Sequence, residues 1–278
     1  MDFQNRDEGE KQVTELARLG RASVRQVTLG GKICIEKKPL SETELLFYQH
    51  YADRLNARGI FSPAIMALDA DEKRIVMELI PHSVKLAELQ TPAVFQHLAG
   101  IHAMEVEEPS LPFYRACWTE RATASALDAL ALPRTTIDFF HVVQAQSAAI
   151  FAGNRLITGD SNPGNWGRRA NGELVQFDWE RLTMGCPSID LAPLINGMGT
   201  PAQYEAYAGQ YLACRHRLTD LPTIAPETLV SHIAMAKAWI VIEVVNILLR
   251  SRHRDSAMYL DWYRQQLPSW CDEVAGLL

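Results

Sequence analysis

The hydrophobic pattern of this chain changes period at Pro81. Before it, short β-rich runs alternate apolar and polar residues; after it, apolar residues recur at helical spacing. Val24–Thr28 and Lys32–Lys37 read as strands separated by Leu29-Gly30-Gly31, and paired glycines supply the positive φ angles of a tight hairpin. Ser41–Leu55 places Leu45, Tyr48, Ala52 and Leu55 along one helical stripe. Ile65–Leu68 and Arg74–Ile80 form a second hairpin around the polar turn Asp69–Lys73. The order hairpin, helix, hairpin stops at Pro81, which has no N–H to give a sheet. Beyond it the expected helices are Thr91–Met104, Ile137–Ala152, Gln203–Arg217, Pro226–Ser251 and Ser256–Leu267. The pattern therefore predicts a bilobal α+β chain. A small β-rich lobe, residues 1–80, is joined to a larger, mainly helical lobe, residues 81–278, and clefts at such boundaries are common ligand sites.

Charge and cysteine usage narrow the function classes. The 278 residues carry 33 acidic and 27 basic side chains, a formal net charge of -6, which disfavours a nucleic-acid or anionic-membrane partner. A cationic or neutral small substrate suits that sign. Five scattered cysteines form no CxxC pair and no Cys/His cluster, so neither a zinc site nor a disulfide framework is expected. The N-terminal MDFQNRDEGEKQ is polar and lacks the apolar stretch of a signal peptide. The most apolar segment, Ile233–Leu249, contains Lys237, Glu243 and Asn246, and central charges are costly in lipid. It reads as a buried helix of a reduced, cytoplasmic protein.

Between the helical segments lies an irregular island, Leu156–Pro193. It begins Leu156-Ile-Thr-Gly-Asp160-Ser-Asn-Pro-Gly-Asn165-Trp, a run of turn-forming residues after two apolar ones. A polar turn at Arg168–Gly172 and an apolar strand, Leu174–Phe177, then deliver Asp178-Trp179-Glu180. Asn165 and Asp178 thus flank a short hairpin with Asp160 at its entrance. Hard Mg²⁺ takes oxygen ligands of this kind, with phosphates completing its shell. A separate carboxylate nearby suits deprotonation of a hydroxyl. Taken singly, Asp160 reads equally well as an ordinary turn residue.

The order Gly159-Asp160-x-x-Pro163-Gly164-Asn165, then Phe177-Asp178-Trp179-Glu180, then Gly185-x-Pro187-x-x-Asp190-Leu191-Ala192 resembles the aminoglycoside phosphotransferase/choline kinase-like family, which has the protein-kinase-like fold. The resemblance implies an ATP-dependent transfer to a hydroxyl of a small molecule. Asp160 would be the catalytic base, Asn165 and Asp178 would hold Mg²⁺ on the ATP phosphates, and Asp190 would brace the loop. Relatives commonly carry His where this chain has Thr158, a loop-supporting position at which Thr still donates and accepts a hydrogen bond.

A kinase also needs a strand-borne Lys fixed by a helical Glu. Alternation puts Ile33, Ile35 and Lys37 on one face of their strand, which favours Lys37 over Lys38. Glu44, in Glu44-Leu-Leu-Phe47-Tyr48, is the partner the resemblance implies, with Glu42 as its substitute; Ser41-Glu-Thr-Glu44 also fits a capping box that would occupy Glu44 locally. Leu19-Gly20-Arg21-Ala22-Ser23 is the expected phosphate cover. Met77-Glu78-Leu79-Ile80 is the expected hinge, its backbone meeting the adenine edge. His97 and His102 read as packed groups on the helix beneath it. On the acceptor side, Asp178, Glu180 and Glu243 would attract an amine and Trp239 or Trp262 would cover a cation, although helical spacing alone explains both tryptophans. Met198–Pro201 reads as a substrate loop or a helix connection. An aminoglycoside-like antibiotic, choline or another amino alcohol, and a sugar all fit as acceptor. The alternative is a pseudokinase, a nucleotide-binding or scaffold module that transfers nothing.

Overall fold

Gly30 and Gly31 make the first hairpin. Their φ angles of 58° and 78° are both left-handed, and the register pairs Leu29 directly with Lys32, a two-residue turn suited to the twist of the flanking strands. The computed structural model describes residues 22–106, 108, 110–218, 221–250 and 255–278. Strands β1 (Ser23–Leu29) and β2 (Lys32–Lys38) are followed by helices α1 (Glu42–His50) and α2 (Ala52–Asn56), then by β3 (Ile65–Asp69) and β4 (Arg74–Glu78). The sheet order is β1-β2-β4-β3, all neighbours antiparallel. Its register sets Ile35 opposite Met77 and Lys37 opposite Ile75, so these four share one face. Along that face Ile33 is 60% exposed, Ile35 is half-buried and Ile75 is fully buried. On the other face buried Glu36 accepts ion pairs from Arg25 (2.6 Å) and Arg74 (2.9 Å).

The second lobe is mainly helical. After β5 (His82–Ser83) come α3 (Pro92–His102), α4 (Glu120–Leu130), α5 (Arg134–Gln146) and α6 (Ala148–Phe151). Short strands follow: β6 (Leu156–Ile157), β7 (Trp166–Arg168), β8 (Leu174–Gln176) and β9 (Thr183–Met184). They form a β5-β7-β8 sheet and a β6-β9 pair. The chain closes with α7 (Ser188–Leu191), α8 (Pro201–Arg215), α9 (Pro226–Arg250) and α10 (Ser256–Val274). Helix α9 is long and apolar enough to cross a membrane by length and composition. It packs instead against α4, α7, α8 and α10 with Leu229, Ile233, Trp239, Ile242 and Val245 buried. Each such side chain contributes about 1.5–3 kcal/mol of burial. Lys237, also inside, donates to the Ile195 carbonyl at 2.8 Å.

The α+β, two-lobed expectation holds, and its misses have local causes. The helix expected over Ser41–Leu55 is interrupted at Tyr51, whose φ of -117°, with ψ at -32°, strays far from the helical mean. The one expected over Ile137–Ala152 breaks at Ser147, whose hydroxyl donates back to the Gln144 carbonyl at 2.7 Å. Helix α4 was not expected; its buried stripe of Thr123, Ala126, Leu127 and Leu130 is too lightly apolar to stand out. Helix α10 passes Pro268 because Leu267, Trp270, Cys271 and Val274 stay buried on both sides of it.

Arg169, in the β7–β8 turn, ties the lobes together. Its Nε and Nη2 donate to Glu78 at 2.9 and 2.8 Å, its Nη1 to Glu173 at 3.0 Å, and its guanidinium lies 5.1 Å from the Phe61 ring centroid. The Gln176 amide adds a bond to the Phe61 carbonyl at 3.0 Å. Replacing Arg169 with Met should lower unfolding free energy by roughly 1–3 kcal/mol in urea denaturation. Arg169→Lys should recover only part of the loss, because an ammonium cannot make the two-pronged pair.

Candidate active site

Strand β6 runs straight into Thr158-Gly159-Asp160, and the turn closes against the segment after Asp178. Gly159 has φ 73°, and a Cβ there would lie 2.1 Å from the Arg181 carbonyl oxygen, so only glycine fits. Asp190, wholly buried on α7, holds the turn. One of its oxygens, Oδ1, accepts from the Thr158 hydroxyl (2.8 Å) and the Gly159 amide (2.9 Å); Oδ2 accepts from the Thr158 amide (2.7 Å). His102 Nε2 lies 3.0 Å from Oδ2, and its Nδ1 lies 2.9 Å from the Tyr211 hydroxyl. Thr158 Oγ1 in turn accepts from the Asp160 amide at 3.2 Å. His97 is buried edge-on to Trp166, 5.0 Å between ring centroids, and burial drops its pKa to about 3, which keeps it neutral.

The rest of the loop fixes Asp160 from below. Asn165 Nδ2 donates to the Asp160 carbonyl at 2.9 Å, which leaves Oδ1 of Asn165 as an acceptor. Trp166 Nε1 donates to the Ser161 carbonyl at 3.0 Å, the Ser161 hydroxyl to the Asp190 carbonyl, and Asn162 Nδ2 to the Asp160 carboxylate. After the β7–β8 hairpin the Phe177 amide donates to the Asn165 carbonyl at 3.0 Å, so the chain on either side of the hairpin is stitched together beside Asp178. Asp178 itself has φ 64°, an uncommon conformation for a residue with a Cβ.

From the opposite lobe, Lys37 Nζ lies 2.8 Å from Asp178 Oδ1 and 3.0 and 2.8 Å from the two oxygens of Glu44. Ser41 caps α1 by accepting from the Glu44 amide at 3.0 Å, but the Glu44 side chain turns inward to Lys37 and completes no capping box. One turn along α1, Phe47 stacks on Trp179 with centroids 3.8 Å apart and planes 6° apart. Lys38 and Glu42 lie outside this group, paired with Glu72 (2.6 Å) and Lys73. Burial alone would lower the Lys37 ammonium, yet Glu44 and Asp178 outweigh it and hold its pKa above the usual lysine value. Burial pushes the Glu44 carboxyl up and Lys37 pulls it back. Asp160 is raised to about 6, mainly by burial, with Arg181 opposing and nearby Asp178 adding to the rise.

The remaining expected site residues are dispersed. Met77 is buried with its Sδ 3.6 Å from the Tyr48 hydroxyl. The Glu78 amide is taken by the Ala64 carbonyl (2.8 Å) and its carboxylate by Arg169, so its side chain is structural; Ile80 lies past the end of β4 and packs on Gly167. Ser23 is exposed at the start of β1, opposite Lys38, while Leu19-Gly20-Arg21 fall outside the described residues. Glu180 is exposed as a residue, yet partial desolvation of its carboxyl, with Asp178 nearby, raises its pKa. Two acceptor-side expectations need correction. Trp239 is 2% exposed, donating to the Cys117 carbonyl (3.3 Å) against Phe151, and Glu243 is committed to Arg181 at 2.7 Å. Trp262 packs on Tyr263. At Met198–Pro201 the chain is a helix connection, with Thr200 and Gln203 forming a capping box for α8. Two open grooves of about 520 and about 480 Å³, one between the α2–β3 connection and α3, the other beside Ile33, Met66 and Glu78, contain none of Asp160, Asn165 and Asp178.

Residues 16–221 match the phosphotransferase enzyme family, APH. This chain belongs to that family. No curated protein is matched in sequence. Solved structures with the same fold include a microcompartment-associated aminopropanol kinase, 14% identical with a TM-score of 0.62, the match covering 96% of this chain and 98% of that one. The choline kinase LicA of Streptococcus pneumoniae is 17% identical with a TM-score of 0.55 over 95% and 98% of the two chains; LicA is also known in complex with AMP. An aminoglycoside phosphotransferase from Alicyclobacillus acidocaldarius is 13% identical with a TM-score of 0.55 over 94% and 93%.

Three features of this phosphotransferase escaped sequence reasoning: the Arg181–Glu243 pair, the Phe47–Trp179 stack and the His102–Tyr211 contact with Asp190. Only the stack left a signal, since Glu44 and Phe47 are three residues apart and must share a helix face.

Asp160 and Asp190 predict opposite stability effects. Between its unfolded value of about 3.9 and its folded value of about 6, Asp160 binds more protons folded than unfolded, so its ionised form weighs against the fold at pH 7. Asp160→Asn should therefore raise the Tm at pH 7 by a few degrees, with the gain vanishing near pH 4. Asp190→Ala should instead lower stability by on the order of 3 kcal/mol, because it strands buried donors.

Proposed function

We propose that this phosphotransferase moves the γ-phosphate of ATP to a hydroxyl of a small molecule, with Asp160 as the base. The observation that carries the reading is Lys37, which reaches Glu44 and Asp178 together beside the braced Asp160 loop. In this reading the acceptor hydroxyl gives its proton to Asp160 as its oxygen bonds to the γ-phosphorus and the bond to ADP breaks. Lys37, steadied by Glu44, holds the phosphates. Ser23 lies on the phosphate side, and the backbone from Met77 through Glu78 to Ile80 edges the adenine. The exposed Ile33 and half-buried Ile35, on the same face as Lys37, offer the base an apolar wall.

The donor set suits Mg²⁺. Asn165 Oδ1 and the second oxygen of Asp178 are hard ligands, and among the described residues no group of three His, Cys, Asp or Glu could hold a metal by itself. A cation here would take these two oxygens and complete its shell with phosphate and water, neutralising charge on the transferred group. Thr158 and Asp190 keep the base in place. Residues 1–80 would serve as the nucleotide lobe and 81–278 as the catalytic and acceptor lobe, in a cytoplasmic enzyme that needs no nucleic acid or membrane. Amino alcohols, sugars and aminoglycoside-like compounds are the acceptor classes to screen.

Magnesium-dependent thermal stabilisation by ATP should be accompanied by turnover of an acceptor from such a panel. Asp160→Asn should lower kcat by about 10²–10⁴-fold while ATP stabilisation persists. Asp178→Ala should remove the magnesium dependence of ATP binding. The wild-type kcat/KM should fall tenfold per pH unit below about pH 6, as Asp160 takes up its proton. Stabilisation by ATP without transfer to any acceptor, or transfer indifferent to Asp160→Asn, would mark a nucleotide-binding scaffold instead.

A further inference from the structure

The nucleotide reading leaves one buried cation without a task. Arg181 follows Asp178-Trp179-Glu180, and its backbone carbonyl is the atom against which Gly159 packs, one residue before Asp160. Its Nη2 donates to Glu243 Oε2 at 2.7 Å and to the Tyr114 hydroxyl at 3.3 Å, and its guanidinium carbon lies 5.1 Å from the Tyr114 ring centroid. Both bonds leave from a single nitrogen. Among the described residues Nη1 and Nε have no partner, while the side chain retains 23% exposure. Glu243 and Tyr114 thus fix one corner of the guanidinium and leave its other edge to face a ligand. Asp160 and Arg181 influence each other electrostatically, yet no ion pair joins them.

Two of the groups expected to recognise an onium acceptor are spent elsewhere. Trp239 is in the core and Glu243 is neutralised by Arg181. A fixed, partly buried guanidinium with a free edge is the geometry that grips a carboxylate with two parallel hydrogen bonds. We propose that Arg181 is the specificity-determining residue of the acceptor site and binds a carboxylate on the acceptor, so that the substrate is a small hydroxy acid or hydroxy amino acid whose hydroxyl is presented to Asp160. This rests on the kinase reading of the same site. Glu180, exposed beside Arg181, is placed to meet an amine on such an acceptor.

The test uses matched acceptors that differ by the carboxylate alone: L-serine with ethanolamine, L-homoserine with 3-amino-1-propanol, and D-glycerate with ethylene glycol, each with ATP and Mg²⁺. In at least one pair the carboxylate-bearing member should be preferred by roughly 10- to 100-fold in kcat/KM, the worth of a charge-assisted hydrogen bond. Arg181→Gln should collapse that ratio toward one, chiefly through the KM of the acid, and Arg181→Lys should restore part of it. Equal or better use of the carboxylate-free members overturns the proposal. So does a ratio that Arg181→Gln leaves unchanged while kcat falls for both members, the result expected if Arg181 only steadies Asp160. Failure of all three acids while ATP still stabilises the protein also overturns it. Loss of both ATP stabilisation and transfer to every acceptor class would sink the kinase reading itself. Should Arg181→Gln not fold, the wild-type ratios decide alone.

Discussion

A carboxylate with no exposure to water accepts hydrogen bonds from the Thr158 amide, the Thr158 hydroxyl and the Gly159 amide, and lies within bonding distance of His102. The rest of the site is built outward from this Asp190 cluster. A buried charge persists only where hydrogen bonds replace its hydration, and here they come from the turn that presents Asp160. The same side chain therefore satisfies its own burial and fixes the turn. Tyr211 on α8 holds His102 on α3, so the turn is referred to the helical core rather than to the surface.

Across the cleft a second constraint acts at longer range. Lys37 belongs to β2, Glu44 to α1 and Asp178 to the segment after β8, so one ammonium group joins three elements. The stacked rings of Phe47 and Trp179 run parallel to that contact and supply apolar adhesion the ion pairs lack. Buried ion pairs repay desolvation only with good geometry, which Lys37 meets through its hydrogen bonds to Glu44 Oε1 at 3.0 Å and Asp178 Oδ1 at 2.8 Å. Asp178 is held in left-handed backbone space at the focus of these contacts. Strain of that sort persists where surrounding structure over-determines it. Arg169 and Glu78 close the other end of the same lobe junction.

Asp160 is set apart from Asp190 by its surroundings. Asp190 is saturated with donors from the protein, whereas the Asp160 carboxylate receives only Asn162 among the described residues and sits near Asp178. Burial with few donors favours the neutral form, which is why its pKa rises to about 6. Two aspartates that meet at one turn thus differ in surroundings, Asp190 saturated with donors and Asp160 short of them.

Alternation along β2 was enough to separate Lys37 from Lys38, because a strand can turn only every second side chain to one face. The turn residues around Asp160, the paired glycines and the change of period at Pro81 were equally legible, since each is a short-range demand of backbone geometry. Helix breaks at Tyr51 and Ser147 were not, because helical periodicity registers buried stripes and not a single residue at which a helix is interrupted. Ser41 and Glu44 satisfied two local patterns at once, and only packing decided that the serine caps while the glutamate reaches Lys37. Helical spacing could not tell Trp239 in the core from Trp239 over a ligand, nor could adjacency say which way Arg181 points. The sequence by itself determined the two hairpins of the first lobe, the order of the longer helices and the turn that carries Asp160, which depend on neighbours along the chain. Which charges meet depended on residues as far apart as Arg181 and Glu243, and only the tertiary structure brings those together.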